Sequence, residues 1–268
     1  MKYNLLVTSF FILISVSAFS QSTTDQPELD SDRPNFTQGA AIVPHKTIQL
    51  ETGVEFKNDQ TLSIQEKTFL YPTTLIRIGI LKNAEFRINF DFEKDRQKFK
   101  SGSGLLGQDE IVQGFDNVHL GAKIALIKGK GALPDISILG NIMLPVGIKE
   151  LRPPHAAPEG RLLLNNKLSE KLELQYNVGY RKLMDHEEYQ GEMLYSISTN
   201  LKVNDILKIF AEYEATKVLR ESVDSSLDGG FMFQILPNLQ LDVYAGAAVS
   251  EAAPDFYTGG GITWRIPR

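Results

Sequence analysis

Apolar and polar residues alternate one by one through long stretches of this chain. In Phe86-Arg87-Ile88-Asn89-Phe90-Asp91-Phe92 every second residue is apolar, and Leu172-Glu173-Leu174-Gln175-Tyr176-Asn177-Val178-Gly179-Tyr180 repeats the pattern. A period of two puts the apolar side chains on one face of a strand and the polar ones on the other. Read along the chain, the pattern predicts strands at 46–56, 69–80, 85–93, 117–127, 135–144, 160–168, 172–181, 192–201, 206–216, 227–235, 239–249 and 257–266. Most have about nine to eleven residues, the length a tilted strand needs to cross the hydrocarbon layer of a membrane. No apolar run is long enough for a transmembrane helix.

The links between these strands fall into two sets. Those at 81–84, 169–171, 203–205 and 236–238 are tight, and 128–134 is somewhat longer. The other set, at 57–68, 94–116, 145–159, 182–191, 221–226 and 250–256, is mostly longer still. Outer-membrane barrels sort their connections this way, with short periplasmic turns and long external loops. An even strand count places both termini on the periplasmic side, and the 94–116 loop is expected to gate the outer mouth. The fold class is therefore all-β, a transmembrane antiparallel β-barrel of about twelve strands.

The faces agree with lipid outside and water inside. One face carries residues such as Val54, Phe56, Ile88, Phe90, Phe92, Leu120 and Tyr180. Tyr and Phe gather near strand ends, where aromatic girdles sit in barrels of this class. The other face carries Glu51, Glu55, Arg77, Glu85, Arg87, Asp91, Lys123, Arg181, Glu212 and Asp242, with His119 among them. A soluble periplasmic ligand-binding barrel would turn these faces the other way.

The first residues read as an export signal. Met1-Lys2 gives a positive start, Leu5 to Val16 is apolar and uncharged, and Ser17-Ala18-Phe19-Ser20 supplies small residues before Gln21. Residues 1–20 are thus a cleaved signal peptide, 21–45 a polar periplasmic N-terminal segment that can enter the bore, and 46–268 the barrel. The 42% hydrophobic content resembles a soluble protein, but alternation hides a lipid-facing surface from such an average. A net charge of −5 with no basic run disfavours nucleic acid as a partner. The chain has no cysteine, which excludes disulfides, thiolate metal sites and a lipidated cysteine.

Several segments resemble a known family. Asp32-Arg33-Pro34 precedes Ile48-Gln49-Leu50-Glu51-Thr52-Gly53-Val54-Glu55; Tyr71-Pro72-Thr73-Thr74-Leu75-Ile76-Arg77 precedes Asn83-Ala84-Glu85-Phe86-Arg87. Val118-His119-Leu120-Gly121-Ala122-Lys123 and Met143-Leu144-Pro145-Val146-Gly147 follow. Their order and spacing resemble the bacterial outer-membrane family of transporters linked to the meta-pathway of phenol degradation. The resemblance spans most of the mature chain and implies a barrel that passes small molecules, hydrophobic or aromatic ones included. It departs at Asn117, where the pattern has Asp, and at Arg268, where a final aromatic residue is the pattern read by the outer-membrane assembly machinery; Trp264 lies close by.

Two groups of candidate residues follow. Asp32, Arg33 and Glu51 are expected at the periplasmic mouth, with Arg33 paired to a lumen carboxylate such as Glu51; the alternative for Asp32-Arg33-Pro34 is an ordinary turn. Glu55, Arg87, Asp91, Lys123 and Arg181 are expected to set charge preference in the lumen, unless these charges pair and fill the bore. Enzyme chemistry has little support. His45, His155 and His186 lie at an edge or in loops, no Ser/His/Asp set is visible, and Asp109-Glu110 are chain neighbours whose side chains point apart. His155 and His186 with Asp185 and Glu187 read as solvated loop residues rather than a metal site, and Ser101-Gly102-Ser103-Gly104 as a loop tip rather than a phosphate loop. No catalytic residue, metal or cofactor is expected. The expected partners are outer-membrane lipid, a small-molecule solute and the assembly machinery, and the expected place is the outer membrane. The alternative is a closed structural or surface-interaction barrel with a self-plugged lumen.

Overall fold

In the computed structural model the alternating segments pair into one closed ring. The described residues are 27–61, 64–99, 109–185, 188–219 and 221–266. The export signal, the Ser101–Gly104 tip, His186, Glu187 and Arg268 lie outside them. The strands are β1 (Ile48–Gln60), β2 (Ile64–Leu81), β3 (Ala84–Phe99), β4 (Glu110–Ile127), β5 (Asp135–Met143), β6 (Ala157–Lys167), β7 (Leu172–Asp185), β8 (Glu188–Lys202), β9 (Leu207–Val218), β10 (Val223–Leu236), β11 (Leu239–Ala248) and β12 (Phe256–Ile266). Each pairs antiparallel with its chain neighbours, and β1 pairs with β12 from Ile48↔Ile266 to Asn58↔Phe256, which closes the barrel. Closure satisfies the backbone of every strand and leaves no edge, the condition for a sheet in hydrocarbon.

The outer surface is apolar. Leu241 and Val243 on β11, Phe231 on β10, Ile138 and Ile142 on β5, and Trp264 on β12 are all exposed. In water this would be a large liability; in a bilayer it is the lipid-facing band. The ten residues of β11 span roughly 33 Å along the strand, which a tilt of about 40° reduces to roughly the thickness of that band. Around the outer rim, Phe56 touches Phe69 and Phe256 with ring centroids 4.7 and 5.8 Å apart. Phe92 meets Tyr71 and Phe115 at 5.6 and 5.5 Å. These rings form part of an aromatic girdle across β12, β1, β2, β3 and β4.

The expected strands are all present, but the loops expected at 57–68, 94–116, 182–191 and 221–226 are largely strand: β7 and β8 pair on to Asp185↔Glu188, and β10 starts at Val223. The 57–68 link is a hairpin paired to Gln60↔Gln65, and 94–116 continues β3 and β4 to Gln97↔Glu110. Both hairpins rise past the apolar band, where both faces meet water. Most side chains there are polar on both sides, with Phe99, Ile111 and Phe115 as exceptions, so the period-two signal fades while the backbone ladder continues. The tight turns at Lys82-Asn83 and Pro237-Asn238 match expectation, as does the long 144–156 link.

Residues 27–47 form no strand, and from Leu29 to Pro44 they sit inside the barrel. Leu29, Asp32, Thr37, Ala40 and Val43 are all buried. Irregular backbone at membrane depth must find its hydrogen-bond partners within the protein. Here the polar inner wall supplies them: the Ala40 carbonyl accepts from Ser137 Oγ at 2.5 Å, the Gly39 carbonyl from Lys123 Nζ at 2.9 Å and the Ala41 carbonyl from Arg77 Nη2 at 3.0 Å.

Candidate functional site

The site is the lumen and the segment that obstructs it. Asp32 is the centre. Its carboxylate lies 2.5 Å from Arg87 Nη1, 2.8 Å from Lys123 Nζ and 3.6 Å from Arg77 Nη1. Glu85 meets Arg77 at 2.9 Å and Arg87 at 2.8 Å, and Glu51 meets Arg77 at 3.0 Å. Three acids thus balance three bases, and all six residues are buried. Each charge faces opposite partners, as a buried ion cluster requires. Burial alone would raise the Asp32 carboxyl; Arg77, Lys123 and Arg87 outweigh it and hold it well below the usual carboxylate range.

The carboxylates also bind the segment's backbone. Glu51 Oε2 accepts the Asp32 and Arg33 amides at 3.0 and 3.1 Å, and Glu85 Oε2 accepts the Val43 amide at 2.6 Å. On the far wall Glu212 takes the Phe36 and Thr37 amides at 2.8 and 2.5 Å, one on each oxygen. Asn177 accepts from the Gln38 amide at 2.7 Å, and Asn35 Nδ2 donates to Ser198 Oγ at 2.7 Å. Arg161 stands 4.7 Å over the Phe36 ring, a cation–π distance. Ala40 packs with Leu139 and Leu163. Bonds to residues 27–43 therefore come from β1 through β9, β11 and β12.

Arg33 pairs with Asp242 at 3.1 Å and donates to Thr73 Oγ1 at 2.9 Å. Its expected side-chain partner Glu51 instead holds its amide. Burial would lower the Arg33 guanidinium pKa, but Asp242 raises it on balance. The guanidinium lies across Gly53 and Gly261, where an added Cβ would come within 2.4 and 2.5 Å of it. Those glycines give the cation room to cross the wall to Asp242. Asp30, below Asp32, has a carboxyl raised to about 6 by burial first and then by the nearby Glu173 and Asp32 carboxylates, against the pull of Arg77 and Lys123.

Beyond the segment the bore opens into a cavity of about 540 Å³, floored by Asp32 to Phe36 and Gln38 and reaching the outer 249–255 link at Pro254. Of the residues singled out in the sequence, Glu55, Asp91 and Arg181 line this cavity. Arg87 and Lys123 lie beneath it in the ion cluster, and Asp32, Arg33 and Glu51 join the two regions. Sequence reading missed Tyr244 and Tyr257, whose hydroxyls donate inward to Glu55 and to Glu214 and Asp228 respectively. It also missed the inward apolar residues Leu139, Leu163, Phe210 and Met232. Leu139 shares the phase of Ser137 and Asn141, opposite the exposed Ile138 and Ile142, so alternation places it inward; only its apolar character hid it among the lumen residues. Among the described residues no group of His, Asp and Glu is arranged to hold a metal.

A family profile described as "Putative MetA-pathway of phenol degradation" matches residues 31–266. The chain belongs to this family. The match starts beside Asp32, so most of the obstructing segment lies within the phenol-degradation family's shared sequence. No curated protein sequence matches the chain. Among solved structures, the COG4313 outer membrane channel from Pseudomonas putida F1 is similar, with a TM-score of 0.66 at 10% identity, covering 89% of this chain and 100% of that one. The translocator domain of the autotransporter NalP from Neisseria meningitidis has a TM-score of 0.52 at 10% identity, covering 82% of this chain and 88% of its own. Likeness at this identity establishes the fold, an outer-membrane barrel.

Proposed function

We propose that this member of the phenol-degradation family is a passive outer-membrane channel for small solutes, throttled by its own N-terminal segment. The observation that carries the reading is the cavity in the outer part of the lumen, which ends on a segment held only by non-covalent bonds. Glu55, Asp91 and Arg181 set the charge a solute meets, while Arg87 and Lys123 anchor the segment through Asp32. The family's description supports hydrophobic or aromatic solutes among the cargo. Residues 1–20 direct export, the assembly machinery inserts the barrel, and lipid covers the aromatic band. The protein performs no chemistry on its solute.

A closed structural barrel is the second reading, and the charge balance around Asp32 favours it. A disulfide lock separates the two. The natural chain has no cysteine, and Ser31 Oγ lies 2.6 Å from Thr263 Oγ1, so Ser31→Cys with Thr263→Cys would tether the segment to β12. A channel gives discrete conductance steps in a planar bilayer when reduced and fewer or none when oxidised. Silence of the folded, inserted protein in both states, and also of Asp32→Ala, would overturn the channel in favour of the structural barrel.

A further inference from the structure

The cavity above the segment has a surplus of hydrogen-bond acceptors and negative charge. Among the described residues its three lining cations are already engaged: Arg33 with Asp242 at 3.1 Å, Lys57 with Glu55 at 3.0 Å, and Arg181 with Glu192. Asp91, Glu214, Asp224 and Asp228 line the same space, and among the described residues no ion pair reaches them. Glu214 and Asp228 share one donor, the Tyr257 hydroxyl, at 3.0 and 2.9 Å. A single O–H cannot satisfy two carboxylates. A further lining atom, the Asn89 side-chain oxygen, is buried and has no hydrogen-bond partner among the described residues. Acceptors withdrawn from bulk water in this way favour a ligand that brings donors.

The rest of the lining is suited to an apolar body. Tyr244 and Tyr257 meet edge to face at 6.4 Å, and Pro34, Phe36, Leu75 and Pro254 add apolar surface. At about 540 Å³ the cavity is within the range that holds small organic ligands. Cations are drawn both to carboxylates and to aromatic faces, whereas an anion meets repulsion focused by low-dielectric walls.

We infer that the outer vestibule is a binding site for a small organic cation, an ammonium or guanidinium on an aromatic or apolar body, held by Glu214, Asp228 and Asp91 against Tyr244 and Tyr257. This deepens the channel reading by naming its preferred solute, but binding can be read without conduction. Benzylammonium, benzyl alcohol and benzoate share a ring and differ in charge. Calorimetric titration of the refolded chain in detergent at neutral pH should rank them in that order, with benzylammonium at least about tenfold tighter than benzoate.

The Glu214→Gln, Asp228→Asn double variant should lose about tenfold in benzylammonium affinity, and Glu110→Gln, on the external hairpin, should lose none. If the double variant does not fold, Asp228→Asn and Asp91→Asn singly should each cost about threefold. Equal affinity for the three probes, or benzylammonium binding indifferent to these acids, overturns the site. A protein that conducts without this preference keeps the channel and loses the site. One that binds the cation but never conducts keeps the site and loses the channel.

Discussion

In the inner part of the lumen Asp32, Glu51 and Glu85 meet Arg77, Arg87 and Lys123, and every charge is answered across a few ångströms. In the outer part Asp91, Glu214, Asp224 and Asp228 face a cavity whose three lining cations among the described residues, Arg33, Lys57 and Arg181, are taken by other acids. The same residue types, on the same alternating strands, therefore serve opposite ends. Below, compensation fixes a piece of the protein's own chain in the bore. Above, lack of compensation leaves an appetite for something from outside. A polar lumen face thus does not by itself say pore or plug; the sum of charge at each level does.

The contrast breaks most sharply at Asp32. Asp32→Ala removes the acid that three buried bases share, and breaking a buried ion cluster from one side costs about 3–5 kcal/mol. That energy comes out of the docking of residues 27–47, so the variant should conduct continuously where the parent does not, with the barrel itself still folded. Asp228→Asn, its counterpart above, relieves a crowded carboxylate and should change stability by less than about 1 kcal/mol. Equal losses in denaturant titrations of the two variants would erase the distinction.

Next in size is the glycine cradle. Gly261→Ala puts a methyl group where the Arg33 guanidinium now lies, 2.5 Å away, and also against the Thr52 carbonyl. Overpacking of this kind costs about 1–3 kcal/mol. Loss of the Arg33–Asp242 pair should loosen one side of the segment and give partial, flickering conductance. An unaltered current record would mean that Arg33 is not a latch.

Charge reversal inside the cluster sharpens the comparison further. Lys123→Glu puts a carboxylate beside Asp32, Gly39 and Ala41. Its first effect should be to release the segment, with selectivity changing only in the channel so opened. Asp91→Lys, in the cavity, should leave the segment in place and shift ion selectivity about twofold or more toward anions. A selectivity shift in Lys123→Glu at unchanged conductance would instead make Lys123 a filter residue.

Much of this was legible in the chain. Alternation gave the strands and the lumen face, each a local consequence of a two-residue repeat, and the lengths of the links gave the sidedness of the loops. Alternation lost the outer ends of β1 to β4, β7, β8 and β10 beyond the apolar band, where the contrast between the two phases fades. Asp32-Arg33-Pro34 stood out, yet its partner Asp242 lies 209 residues along the chain and reaches Arg33 only because the ring closes. The cluster's balance was equally hidden, since Arg77, Arg87 and Lys123 come from three strands whose registers no single segment determines. The surplus above depends in turn on which acids those bases leave unanswered.

The smallest effect separates two neighbouring carboxyls by the sign of their response to pH. Asp32 is held below its ordinary value of 3.8 by Arg77, Lys123 and Arg87 once docked, despite burial, so the docking it supports is complete above 3.8 and is lost progressively as pH falls below that toward its lower docked value. Asp30 is shifted the other way, from 3.8 to about 6, by burial and then by Glu173. Its docked form holds the proton more tightly than its free form, so docking is favoured below 3.8 and weakens as pH rises to about 6. The segment should sit most firmly near pH 4, with conductance rising on both sides of that minimum. Asp30→Asn, which cannot ionise, should flatten the limb between about 4 and 6 while keeping the acid limb that Asp32 controls. If the upper limb survives in Asp30→Asn, the proton belongs to another group, and the inner lumen is less completely compensated than its ion pairs imply.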